Sequence, residues 1–136
     1  MYTSILVAMA LDHNVSRPML TFATAITAPG GTVTALHVVE EPAGTANARL
    51  REDLQSEGVK RAKTLFAEKL EGFPDVKHQI VQGHVARTIL EVAGQINADC
   101  IVMGSHQPGI VDYLIGSTAA RVVRHAGCSV HVYRAG

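Results

Sequence analysis

Gly104, Ser105, His106, Gln107, Pro108 and Gly109 follow directly on the apolar run Cys100, Ile101, Val102 and Met103, and a second small pair, Gly116 and Ser117, opens a later helical pattern. A strand ending in glycine, a loop of little bulk and a Gly-Ser helix start together suit a phosphate group. Glycine lets the backbone approach a ligand, and the first N–H groups of a helix point at an anion. Each feature also has a plain structural reading, a tight strand exit and a helix cap. Asp12, after the first apolar run, either offers a carboxylate to a nucleoside or serves the Asp12, His13, Asn14 turn. His106 either reaches a phosphate or orders its own loop. Arg121 and Arg124 share one helix face by their spacing, with Arg121 a distant phosphate candidate and Arg124 a solvated cation. No Gly-Lys-Ser or Gly-Lys-Thr occurs, so this is not a Walker loop. The seven histidines form no ligand pair at metal spacing, and His37, within an apolar strand, reads as a hydrogen-bonded core histidine. No triad can be assembled around Ser105, Ser117 or Cys100 from sequence, and no catalytic residue is assigned.

The elements that must position these residues alternate. Residues 5–11 are apolar throughout, too short for a helix, and read as a strand covered on both faces. A first helix runs from Ser16 and Pro18 to about Ala28 and stops at Pro29, Gly30 and Gly31. Residues 32–39 are β-branched-rich and form the second strand. A charged helix over about residues 49–70 has the apolar stripe Leu54, Val59, Ala62, Leu65, Phe66 and Leu70, weakened at Gly58. Residues 76–81 are the third strand, Gly83 and His84 a turn, and residues 86–96 the third helix, with Ile89, Leu90, Val92, Ala93 and Ile96 inward. Residues 100–103 are the fourth strand, 117–125 the fourth helix and 129–133 the last strand. The fold class is α/β: a single doubly wound three-layer domain around a five-stranded parallel sheet. Ligands bind such sheets at strand C-terminal ends where the order reverses. With the first and fourth strands central, that place carries Asp12 and Gly104. The last strand puts Val130 and Val132 on one face and Ser129, His131 and Tyr133 on the other, which suits an edge or a pairing with another chain.

Composition narrows the partners. The 136 residues make one domain, 1–136, and 47% hydrophobic residues suit a folded core, built from aliphatics because aromatics are 4% and Trp is absent. Twelve basic against twelve acidic residues exclude nucleic acid as the main partner. Neutrality near a pI of 7.1 leaves little repulsion against self-association. The N-terminal residues show neither a basic region nor a long apolar segment, so a cytoplasmic protein without a membrane anchor is expected. Cys100 and Cys128 match no metal pattern and read as buried thiols in a reducing compartment.

At these residues the chain resembles the universal stress protein family along essentially its whole length. The resemblance is carried by Ile5, Leu6 and Val7; by Leu36, His37, Val38 and Val39; by Gly83 before a helix; by Ile101 to His106; by Leu114 to Ser117; and by Arg124 to Val132. Nucleotide-binding members share Gly, two residues, Gly, nine residues, then Gly-Ser or Gly-Thr. Gly104 and Gly116-Ser117 match the ends of that pattern. Gln107 stands at the second glycine, and the segment to Gly116 is one residue short, as in a subgroup with Ser-His-Arg-Pro in this loop. The resemblance implies strand order 3-2-1-4-5, a homodimer through the last strand (with pairing into tetramers open), and ATP or another adenine nucleotide as cofactor, with or without Mg²⁺. It places Val38, Met103 and Gly104 against base or ribose and Gly116, Ser117 and Thr118 on phosphate. Asp12, His106 and Gly109 complete the candidate site. The expected function is an adenine-nucleotide-binding stress or regulatory protein. The alternatives are a nucleotide-free interaction or chaperone-like dimer of the same fold and an adenylate-transferring enzyme; slow ATP hydrolysis or self-modification is the most catalysis expected.

Overall fold

The computed structural model describes residues 1–10, 16–40, 48–105 and 116–134. Nine elements alternate along the chain: β1 (Tyr2–Ala8), α1 (Ser16–Ala25), β2 (Thr27–Val39), α2 (Ala48–Lys69), β3 (Lys77–Gln82), α3 (Val85–Gln95), β4 (Cys100–Gly104), α4 (Ser117–His125) and β5 (Ser129–Tyr133). The strands form one parallel sheet in the order β3-β2-β1-β4-β5, as the sequence and its resemblance imply. Residues 5–8 of β1 and all of β4 are apolar because each strand lies between two others and under helices on both faces. Ile5, Val7, Cys100 and Val102 point into one core with Met19, Leu20 and Ala23 of α1 and Ala62 and Phe66 of α2. Leu6, Ile101 and Met103 point into a second core with Ile89 and Val92 of α3 and Ala119 and Val122 of α4.

Four sequence expectations are corrected. The first strand covers Tyr2–Ala8 rather than 5–11. The first helix ends at Ala25, and Pro29, Gly30 and Gly31 lie within the span of β2, not outside it. Tyr2 pairs with Thr27, but Ser4 already pairs with Thr32, so the intervening residues of β2 bulge out of the ladder. Gly31 is required there: a Cβ would stand 2.8 Å from the Thr27 side chain and 3.0 Å from the carbonyl oxygens of Thr3 and Ala28. The third correction concerns α2. Ala62 and Phe66 are buried as the stripe requires, yet Leu54 is 41% exposed. A helix of 22 residues is roughly 33 Å long, while the six-residue β3 that follows it spans roughly 20 Å. The first turns of α2 therefore run past the sheet. The thiols also differ: Cys100 is buried and Cys128, one residue before β5, is only half-buried. Cys100 packs into the first core and Cys128 against the second, on the opposite face of the sheet. Burial pushes the Cys100 thiol up to about 11, so it stays neutral.

A carboxylate ties the foot of β1 to the foot of β4. Asp99 accepts from the Thr3 amide (2.9 Å), the Thr3 hydroxyl (3.1 Å) and the Ser4 amide (3.0 Å). Its own N–H donates to the Ser4 carbonyl at 2.9 Å, and the Ser4 hydroxyl donates to the Ile96 carbonyl at 3.1 Å. The Thr3 and Ser4 amide bonds hold the Asp99 carboxyl below its ordinary pKa. A depressed carboxylate adds stability above its unfolded pKa that is lost as pH falls through the folded value. Asp99→Asn should therefore lower Tm at neutral pH by a few degrees, and the gap to wild type should close as pH falls below the ordinary carboxylate range. Thermal melts across that range check this; a gap unchanged in acid would remove the charge from the explanation.

Candidate functional site

The C-terminal ends of β1 and β4 lie side by side, with Ala8 opposite Met103 on one flank and Leu36 on the other. Beyond Ala8 the chain still hugs β2: the Met9 N–H donates to the Leu36 carbonyl at 2.8 Å. The Met9 carbonyl accepts from His37 Nδ1 at 2.7 Å. His37 is thus the hydrogen-bonded core histidine expected, with its ring edge-on to Phe66. β1 feeds α1 on one side of the sheet, while β4 feeds α4 on the other. The two chains part here, at the switch point where open α/β sheets have their ligand crevice.

Val38 (9% exposed) and Met103 (4%) join Ala119 of α4 in one apolar cluster beneath this crevice. Gly104 is half-buried, and the Ser105 N–H that follows donates to the Tyr133 carbonyl at 2.9 Å. Gly116 is buried and is the N-cap of α4, with φ −61° and ψ 159° and no side-chain hydrogen bond to the helix start. Ser117 is exposed and Thr118 half-buried in the first turn. Val38, Met103, Gly104, Gly116, Ser117 and Thr118 thus belong to the ends of β2 and β4 and the start of α4. Asp12, His106 and Gly109, together with Gln107, lie outside the described residues.

Helix α3 starts differently. His84 is its N-cap, and its Nδ1 accepts from the Arg87 N–H at 3.3 Å. Across the gap between helices, Arg121 Nη1 of α4 stands 3.3 Å from His84 Nε2. A ring nitrogen accepts only where it carries no proton, so a neutral imidazole serves one of these two donors at a time. The structure therefore turns Arg121 toward the α3 cap, where the sequence suggested only a distant phosphate ligand. His84 is the residue that sequence reading missed. A histidine directly before a helix-forming run was the available signal; its partner, 37 positions away, was not.

Among the described residues no three His, Cys, Asp or Glu side chains gather as a metal site. Nor is any described helix long and apolar enough to cross a membrane.

A profile of the universal stress protein family matches residues 1–134. The chain belongs to that family. Among curated universal stress proteins, it is 34% identical to "Universal stress protein A homolog 2" of Coxiella burnetii over 98% of this chain and 95% of that one. It is 35% identical to "Universal stress protein G" of Shigella flexneri over 63% of this chain, a match that spans only 61% of that relative. The fold is similar to that of universal stress protein UspA from Lactobacillus plantarum, with a TM-score of 0.83, 29% identity and 98% of both chains covered. Two universal stress protein structures share the fold at lower identity. One is in complex with cAMP (TM-score 0.72, 20% identity, 97% of both chains). The other, from Archaeoglobus fulgidus, is in complex with dAMP (TM-score 0.61, 19% identity, 96% of this chain and 97% of that one).

The β3–α3 turn yields a test of local geometry. Gly83 has φ 154°, and a Cβ there would stand 2.8 Å from Thr88 Oγ1. Gly83→Ala should cost about 1–3 kcal/mol in urea unfolding. Gly94→Ala, inside α3 where a Cβ meets nothing within 4 Å, should instead stabilise by about 0.5–1 kcal/mol.

Proposed function

We propose that this universal stress protein binds an adenine nucleotide, ATP in the first instance, in the crevice at the ends of β1 and β4, and acts as a nucleotide-dependent stress or regulatory module. The observation that carries the reading is the start of α4. Its N-cap is a glycine with no side chain to satisfy the first-turn N–H groups, beside the end of β4. Those groups are the donors a phosphate needs. The contrast with α3, whose N-cap imidazole accepts from the helix, supports α4 as the phosphate end. The cAMP and dAMP complexes of similar folds support an adenine ligand.

In this reading the base and ribose lie over Val38, Met103 and Gly104, and the phosphates meet the amides of Gly116, Ser117 and Thr118. Asp12 would accept from the adenine amine or a ribose hydroxyl, with His106 and Gly109 in the loop facing the phosphates. A Mg²⁺ ion would be held by phosphate oxygens and water. Binding stabilises the folded state by mass action. The same reading includes a homodimer through β5, an edge strand whose Val130 and Val132 are only partly covered by the second core.

Saturating ATP, at about a hundred times Kd, should raise Tm by roughly 5–10 °C. Gly116→Asp should abolish that shift. Its backbone angles suit any residue, and aspartate is itself a good N-cap, so it fills the amides and repels phosphate while the helix survives. Melts of both proteins with and without ATP check this. An undiminished shift in a folded variant would take Gly116 out of the site.

A further inference from the structure

Resting on the homodimer proposed above, we infer that its two-fold axis passes through His131, setting two imidazoles side by side and making association pH-dependent. The register follows from one hydrogen bond. The Ser105 N–H donates to the Tyr133 carbonyl at 2.9 Å, so Tyr133 turns its peptide groups toward β4. Peptide direction alternates along a strand. Ser129, His131 and Tyr133 therefore face β4, while Val130 and Val132 present their N–H and C=O groups to the open edge.

Within β5 itself, two copies pairing antiparallel about a two-fold axis bond through those two residues. The register that satisfies all of their groups puts Val130 against Val132 of the partner subunit, and the reverse. The residue on the axis is then His131, opposite His131 of the partner subunit. This is a non-hydrogen-bonded pair, in which Cα atoms approach to about 4.5 Å. A second copy is also the occupant that the strand's chemistry fits. β5 reads Ser, Val, His, Val, Tyr, with no lysine, carboxylate or proline to guard the edge. The opposite edge, β3, opens with Lys77.

His131 lies on the α1 side of the sheet, exposed, with its ring stacked on Phe22 at 4.1 Å between centroids. Among the described residues, α1, β4 and β5 set no carboxylate beside it. Its register partner on β4 is Val102, and the ionisable side chains that β4 and β5 present to the same face are the Cys100 thiol and the Tyr133 phenol; Tyr2, His37 and His78 lie on that face on other strands. The charged side chain of α1, Arg17, bonds the carbonyls of Lys69 and Glu71 at the end of α2. Asp99, next to β4, is engaged by Thr3 and Ser4. Two protonated rings on the axis repel, so the dimer takes up fewer protons than two monomers. Association must weaken as pH falls through the histidine range.

Sedimentation equilibrium of the full chain without nucleotide, at constant ionic strength, tests this. The dissociation constant should be about ten-fold or more higher at about pH 5.5 than at about pH 8, and His131→Gln should remove that dependence while remaining dimeric. Val132→Pro, which deletes an outward N–H at an edge that tolerates proline, should be a folded monomer by circular dichroism and sedimentation. A wild-type dimer indifferent to pH, or a His131→Gln dimer that keeps the full dependence, overturns this inference alone. A monomer at both pH values, or a dimeric Val132→Pro, overturns the β5 homodimer and this inference with it.

Discussion

The pairing of β1 with β4 is the constraint on which the rest of the molecule depends. These strands are central in the sheet, and both cores are built on their side chains. Their far ends define the crevice. Burial on both faces already specifies which side chains of these strands point to which core. The Asp99 carboxylate supplies direction. By engaging consecutive amides of Thr3 and Ser4, it permits one offset between the strands. What happens at the foot of the sheet therefore sets where Ala8 and Met103 meet at its head.

The two helix starts on the second face show how the same backbone problem is solved in two ways. At α3 a side chain closes the helix end, and Arg121 reaches over from α4 to the same imidazole. At α4 nothing from the cap residue does so. A difference of one residue type, histidine against glycine, separates a helix start bonded by its own cap side chain from one that is not. This is why the family's Gly-Ser pair carries more meaning than its helix propensity suggests.

Much of this was legible in the chain. The unbroken apolar runs at Ile5 and Cys100 could only be central strands, and Gly104 and Gly116 do stand at the end of β4 and the start of α4. Errors arose where a local signal was given too large a reach. Pro29, Gly30 and Gly31 do interrupt regular pairing, but a strand can carry an irregularity and resume, as β2 does at Thr32. The stripe through Leu54 has the correct period, yet periodicity carries no information on where the underlying sheet ends. The contact between His84 and Arg121 depends on two helices lying side by side, which no local pattern encodes. Asp12, His106 and Gly109 remain readings of composition and resemblance.

The placement of the two sulfurs on opposite faces of the sheet has a consequence for how such a protein senses its surroundings. A polypeptide whose thiols cannot meet has no internal covalent memory of oxidant exposure. Cys100 is both enclosed and protonated, so peroxide or glutathione has only Cys128 to find, and any bridge made there must lead to another molecule. Thiol oxidation would therefore register as a link from Cys128 to a second molecule and leave the interior of the fold without a cross-link.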